Sequence, residues 1–378
     1  MVDGWIAVVL PLFVLALVYS HWEVGLIGSL TLLGSALATV AVGLVGHRID
    51  TRELLQMACL LMIGTGLGFA LSSSLWILLV LAFVGTLNPG SGDVSVFVPL
   101  EHARLAGDAS DPVARTAAFS YYGLVGSVAA AGGAMLAPAV ETFATAWPVE
   151  TRLRLVFWVY AAVGVSLYFL YRFSLPRRAP AVAAHRVLHR SRRLVLHLAA
   201  LFCIDSFAGG LVVNSMLVLW LVGRFGLSIE ATATVFLVTG LLSAASQLAA
   251  APLARRIGLI PTMVFTHLPA NVCLIGAALA AQVEWAIALL CLRSATSNMD
   301  VPARSAYVMS VVPPEERSAA SSFTALPRSL ATVFGPGIAG AAFALGWWAL
   351  PLLLCGVLKI AYDLLLFASF RHVPPNSN

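Results

Sequence analysis

The chain is short of charge. Asp, Glu, Lys and Arg make up 10% of its 378 residues, apolar residues 60%, and Lys359 is its one lysine. A water-soluble domain carries about 25% charged residues, so this chain cannot cover itself for water. With a mean hydropathy of +0.93, it must have lipid as the solvent for most of its surface. The net charge of +5 does not indicate nucleic acid, because the basic residues lie in short joints between apolar runs and form no surface patch. The five cysteines (Cys59, Cys203, Cys273, Cys291, Cys355) include no Cys-x-x-Cys pair. All five lie inside apolar segments, which with that spacing weighs against disulfide or metal roles and favours small packing residues. No Gly-x-x-x-x-Gly-Lys-Ser/Thr loop is present, which excludes a phosphate-binding loop for ATP. No alternation of period two is present, which excludes spanning strands. The histidines are scattered and show no metal spacing, so an intramembrane metalloenzyme is disfavoured and no cofactor is expected. No small-residue cleavage site follows the first apolar run, which begins at Trp5 and reads as a retained span.

What remains is a series of runs near the 20 residues that a spanning helix needs. Twelve are predicted: 4–20, 25–46, 54–72, 76–100, 116–138, 153–173, 194–223, 230–253, 260–281, 285–308, 319–343 and 349–370. The fold class is therefore all-α and integral to the membrane, in two six-helix bundles. The stretch around Arg172, Arg177, Arg178, Arg186, Arg190, Arg192 and Arg193 divides them: an N-terminal bundle 1–171, a basic linker 172–193 and a C-terminal bundle 194–378. The linker reads as a basic amphipathic helix on an anionic leaflet or as a solvated tether. With the N-terminus inside, 15 of the 22 basic residues fall in inner joints and 3 (Arg152, Arg154, Arg224) in outer ones. That bias predicts a multi-pass protein of the cell membrane with both termini cytoplasmic. Most of the tryptophans sit near span ends, as interfacial anchors do, and Trp220 is the possible pocket wall.

An ionisable group at the bilayer centre costs at least about 2.5–3.5 kcal/mol, so each one needs a reason. The tenth span carries Arg293, Thr296, Ser297, Asp300 and Arg304, at spacings that place them on one helical face. The twelfth carries Lys359 and Asp363, the eleventh Arg328, and the seventh Asp205, Ser206, Asn214 and Ser215. Lys359–Asp363 and Asp300–Arg304 read as local i,i+4 pairs, or else the group forms an inner gate or a proton or solute site. Arg304 and Glu101 lie near span ends, where snorkelling suffices. In the fourth span Asn88-Pro-Gly-Ser-Gly-Asp93 predicts a broken helix that is buried or lines a cavity, and Asp93 beside it reads as the leading proton carrier or, equally, as a structural cap or pair. His267-Leu-Pro269-Ala-Asn271 predicts a similar break in the ninth span.

The two halves repeat. Gly43-Leu-Val-Gly-His-Arg-Ile-Asp50 follows the second span, and Ala251-Pro-Leu-Ala-Arg-Arg-Ile-Gly258 follows the eighth. Gly92-Asp93-Val94 answers Met299-Asp300-Val301, and Arg115-Thr-Ala-Ala answers Arg317-Ser-Ala-Ala. The first turn resembles the Gly-x-Leu-x-Asp-Arg-x-Gly-Arg loop of the major facilitator superfamily. Gly43, Val45 and Arg48 fit it, Arg52 lies one place past its last Arg, His47 stands where the family has an acid, and Asp50 where it has its second glycine. The second copy keeps Leu253, Arg256 and Gly258 beside Arg255, and Gly335-Pro336-Gly337 with Gly340 also resembles the family. The offsets of 202–208 between repeat partners place the counterpart of residue 194 ahead of Met1, so a shortened first helix is expected.

The resemblance implies a secondary transporter that moves a small solute by alternating access of two bundles. Proton coupling, a monomeric state and export by antiport, slightly ahead of uptake, complete the expectation. An uptake permease for an organic anion and a non-transporting sensor or scaffold are the alternatives. The absence of any large soluble loop weighs against the sensor.

Overall fold

The computed structural model describes residues 1–45, 48–90, 97–108, 112–142, 146–177, 191–313 and 316–371. Among the described residues all regular structure is helical. In chain order it comprises α1 (Val2–Ala16), α2 (His21–Val45), α3 (Thr51–Leu71), α4 (Leu75–Val84), α5 (Phe97–Asp108) and α6 (Pro112–Ala134). Then come α7 (Ala139–Thr142), α8 (Val149–Ser174), α9 (Arg192–Gly210), α10 (Asn214–Phe225), α11 (Ile229–Ile257) and α12 (Leu259–Leu279). The last are α13 (Val283–Ser297), α14 (Asp300–Val311), α15 (Arg317–Thr332), α16 (Phe334–Ala344) and α17 (Leu350–Phe370).

These elements are the twelve spans. Seven stretches are long and apolar enough to cross a membrane: His21–Gly43, Thr51–Leu71, Val149–Ser174, Arg192–Phe225, Ile229–Ile257, Leu259–Leu279 and Leu350–Phe370. The other five are α1, α6 and the pairs α4–α5, α13–α14 and α15–α16. Large apolar side chains such as Phe173, Trp76 and Leu71 stand exposed, as lipid-facing groups do.

The breaks have local causes. α4 stops at Gly85, and Pro89 cannot donate a backbone hydrogen bond. Asn88 folds back so that its Oδ1 accepts from Gly90 N at 3.0 Å, while the Thr86 carbonyl accepts from the Tyr160 hydroxyl at 3.0 Å. The predicted break in the fourth span is thus present through Gly90, and residues 91–96 lie outside the described residues. The seventh span also breaks, at 211–213 after Gly209-Gly210, where a single 30-residue helix is predicted. Ser215 N at that break donates to the Pro89 carbonyl at 3.1 Å, so two interrupted spans satisfy one another's backbone. The tenth span breaks at 298–299, because Pro302 cannot donate to the Asn298 carbonyl. The ninth does not break. α12 runs straight through Pro269, which removes one donor only, and its flanking His267 and Asn271 are tied to α17.

Two compact units emerge. The first comprises Met1–Ala183 with Val213–Leu237, the second Ala184–Val212 with Val238–Asn378. In the first, α3 lies along α8, α2 along α4, and α1 against α6, α8 and α10. The rings of Phe13, Phe69 and Phe157 pack together in its interior. Ser20 and Glu23 form a capping box at the start of α2: Ser20 N donates to Glu23 Oε2 at 2.8 Å and Trp22 N to Ser20 Oγ at 3.3 Å. Arg154 closes the end of α3, donating to the Ala70 carbonyl at 2.7 Å and the Ser72 carbonyl at 3.1 Å.

In the second unit α12 packs against α13, α14 and α17, and α9 against α15, α16 and α17. Val195, Phe202, Met263, Tyr307, Tyr362 and Leu366 belong to its apolar core. α9 and α16 touch through glycine. A Cβ on Gly335 would lie 2.1 Å from the Gly210 carbonyl carbon, and one on Gly210 2.3 Å from the Thr332 carbonyl oxygen. Gly335→Val is therefore expected to destabilise the second unit by about 1–3 kcal/mol or more, as overpacking does. A lowered midpoint in thermal unfolding of the solubilised protein checks this, with Gly346→Ala, in open space at a turn, as a milder comparison.

Candidate functional site

The buried charges of the second unit converge. Asp205 on α9 is 5% exposed and is clamped by two cations. Lys359 Nζ on α17 donates to Oδ1 at 2.5 Å, and Arg304 Nη1 on α14 donates to Oδ2 at 2.9 Å. Arg304 also reaches Asp300 one turn back, Nη2 to Oδ2 at 3.5 Å. Asp363 is 0% exposed. Its Oδ1 lies 2.9 Å from His267 Nδ1, and its Oδ2 accepts from Asn271 Nδ2 at 3.0 Å. Arg328 Nε on α15 donates to Ser206 Oγ at 3.1 Å. The guanidinium carbons of Arg304 and Arg328 lie 5.5 and 6.0 Å from the centroid of the Phe202 ring, within cation–π range. Five helices, α9, α12, α14, α15 and α17, thus contribute to one buried polar cluster.

Several expectations need correction. Lys359 and Asp363 are not each other's hydrogen-bond partners. Lys359 reaches across to Asp205, and Asp363 is met from α12 by His267 and Asn271, so each charge takes its partners from another helix. Arg304 does not snorkel: it is 5% exposed and held by two acids. The stripe on the tenth span is not one continuous face. The break at 298–299 separates half-buried Arg293 and Thr296 on α13 from buried Asp300 and Arg304 on α14. Glu101 is likewise no snorkelling group, since its carboxylate accepts from the Tyr122 hydroxyl and from the Tyr171 hydroxyl at 2.5 Å. Trp220 is fully buried and packs edge-on to Phe225 at 5.3 Å, so it walls no open pocket.

The remaining residues fall elsewhere. Arg293 Nε is buried without a hydrogen bond, and the ionisable groups acting on it are the thiols of Cys355 and Cys273. Asn88 is buried at the fourth-span break, and Asn214 opens α10. Asp93 and His47 lie outside the described residues. Gly43 and Arg48 are exposed, while Arg52 is buried at the start of α3, where Asp50 Oδ1 caps its backbone N–H at 3.2 Å. Asp50, the departure from the family's glycine, is thus an N-cap. Arg255 and Arg256 are exposed at the end of α11. Gly258 holds φ +95°, which favours glycine, and makes the turn into α12.

Sequence reasoning missed His267 and Asn271 as partners of Asp363. Their spacing of four, which places both on one helical face, was the available signal; Pro269 between them drew the reading toward a break.

A family model, Major Facilitator Superfamily, matches residues 1–297. The chain belongs to the Major Facilitator Superfamily. Like this superfamily member, the uncharacterized membrane protein YJR124C of Saccharomyces cerevisiae is a membrane protein; it is 25% identical over 97% of this chain and 90% of its own. A variant of the nucleoside transporter NupG superposes with a TM-score of 0.77 at 12% identity, covering 98% and 96% of the two chains. The human organic anion transporter MFSD10 gives 0.68 at 19% identity, covering 97% and 96%. At these identities the superpositions speak to the fold. The superfamily member is accordingly a multi-pass membrane protein and a secondary transporter.

Asp205→Ala would strand Lys359 and take from Arg304 the nearer of its two acids. A buried charge stripped of its partner costs about 3–5 kcal/mol. The expected result is that loss for Asp205→Ala, with a substantial part recovered in the double variant Asp205→Ala/Lys359→Met. Denaturation midpoints of the four proteins of that cycle check it.

Proposed function

We propose that this transporter moves a small organic solute in exchange for protons, in the export direction, across the cell membrane. The observation that carries the reading is the buried cluster around Asp205, Asp300, Arg304, Lys359 and Asp363. Charges at such depth are costly and are kept where charge movement is part of the function. The lack of an ATP-binding loop supports a gradient as the driving force. The bias of basic residues toward one set of joints supports cytoplasmic termini. In this reading the bundles 1–171 and 194–378, joined by 172–193, alternate access as a monomer. Asp93, beside the interrupted fourth span, exchanges protons with the solute pathway, and Gly43, His47, Arg48, Arg52, Arg255, Arg256 and Gly258 form the two gate turns.

A second reading, transport of an organic anion, is favoured by Arg293. Its Nε makes no hydrogen bond, and away from the span ends the C-terminal half sets Arg293, Arg304, Arg328 and Lys359 against Asp205, Asp300 and Asp363. The human structural relative described as an organic anion transporter fits that chemistry.

The test is the internal pH of proteoliposomes offered a panel of organic anions and cationic drugs. Solute-dependent proton movement is expected; solute flux with no proton movement would overturn the coupling. Asp93→Asn is expected to abolish uphill transport while sparing solute exchange, and Arg293→Gln to raise the half-saturating concentration of anions at least tenfold without changing that of cations.

A further inference from the structure

Among Arg293, Arg304, Arg328 and Lys359, Arg293 is the one that the polar cluster leaves out. Asp205 takes Lys359 and Arg304, Asp300 lies beside Arg304, Asp363 is met by His267 and Asn271, and Arg328 donates to Ser206. Arg293 Nε is buried without a hydrogen bond. The ionisable groups that act on its guanidinium are two thiols, Cys273 on α12 and Cys355 on α17, with no carboxylate among them. A thiol is a weak hydrogen-bonding group and does not neutralise a cation. A charge within a span is costly without a partner, so this side chain is poised for an anion from outside the chain.

A groove lies next to it. Between the end of α12 and the start of α13 a hollow of about 440 Å³ is lined by Gly276, Leu279, Gln282, Trp285 and Leu289, a volume suited to a small organic molecule. Gly276 keeps it open on the α12 side, since a Cβ there would come within 3.1 Å of Leu289 Cδ1. Trp285 stands at the mouth, 65% exposed. Trp285, Leu289 and Arg293 follow at intervals of four and share one face of α13, while Cys273 and Gly276, three apart, share one of α12. Side chains on a helix lean toward its N-terminus, so Arg293 leans toward Leu289 and the groove. Eight residues separate it from Trp285, which is about 12 Å along the helix axis.

From this arrangement we infer that the groove between α12 and α13, with Arg293 at its foot, is a binding site for an organic monocarboxylate with an apolar body. The planar guanidinium takes a carboxylate through two parallel hydrogen bonds, and Gly276, Leu279, Leu289 and Trp285 take the body. One cation matches one negative charge. A dianion such as a phosphate ester would carry a second charge with no partner into the same site. The occupant is a free solute and not a lipid, because the polarity of the groove is the reverse of a lipid's. A lipid keeps its head at the interface, whereas here the apolar wall is at the mouth and the cation is at the foot. The site deepens the anion reading given above, on which its use in transport rests.

The test offers tritiated biphenylcarboxylate to the full-length protein in nanodiscs of zwitterionic lipid and reads binding by scintillation proximity. Saturable binding is expected. Arg293→Gln is expected to weaken it roughly tenfold or more, with Arg293→Lys keeping part of it. Trp285→Ala, at an exposed position where folding is not at stake, is expected to weaken it roughly threefold. Trp76→Ala, another exposed tryptophan, is the unchanged control, and the matching dicarboxylate is expected to compete more weakly than the monocarboxylate. Helicity and monodispersity check the fold of each variant. No saturable binding, or binding that either Arg293→Gln or Trp285→Ala leaves unchanged, overturns the inference. Stronger competition by a soluble short-chain phosphatidylglycerol than by unlabelled biphenylcarboxylate also overturns it and makes the groove a lipid site. Flux of the same anion into proteoliposomes separates the site from the transport reading. Flux that Arg293→Gln slows and Trp285→Ala leaves unchanged keeps the anion reading and removes the groove; binding that depends on both residues, without flux, does the reverse.

Discussion

In lipid a charge cannot be left to solvent, so a buried one is held where the protein itself supplies partners, often from another helix. Asp205 shows the consequence most fully. Its two carboxylate oxygens bind cations from α17 and α14, and those bonds tie three helices that are far apart in sequence. The apolar residues around them, Phe202, Tyr307, Tyr362 and Leu366 among them, exclude water and so raise the strength of every pairing they enclose. Packing and electrostatics are therefore one constraint here. The same environment that makes an unpaired Asp costly makes a paired one a strong crosslink.

The backbone obeys the same rule. Interrupted helices are tolerated at membrane depth only where the freed groups are met from within the protein. At the fourth span the Tyr160 hydroxyl and the Asn88 side chain do this, and at the seventh the Pro89 carbonyl takes the Ser215 N–H. Such segments keep polar backbone near functional side chains without exposing it to hydrocarbon. Small residues serve the opposite purpose at the α9–α16 contact, where Gly210 and Gly335 let two backbones approach so closely that no side chain fits between.

Much of the fold was legible in the residues. Low charge, long apolar runs and basic joints lead to twelve helices, and a turn such as Gly43 to Asp50 marks the superfamily. The site was only half legible. Asp205, Asp300, Arg304, Lys359 and Asp363 stand out because an acid or base in an apolar run is conspicuous whatever its neighbours. Their partners do not. Lys359 and Asp363, four apart, read as a pair, yet each turns to a different helix. His267 and Asn271 flank a proline and read as a break, yet α12 runs through it because losing one donor costs less than surrendering the packing against α13, α14 and α17.

The sequence by itself determined the solvent, the number of spans, the family and the identity of the costly charges. These follow from hydropathy, spacing and local motifs, which act over one or two helical turns. Tertiary structure alone decided which charges meet. That choice depends on the rotation and height of helices separated by 90 residues or more, as for Asp205 and Arg304 or His267 and Asp363. Nothing local encodes those quantities. They are set by how the apolar faces of all the helices pack at once, and the ion pairs form where that packing brings opposite charges within reach.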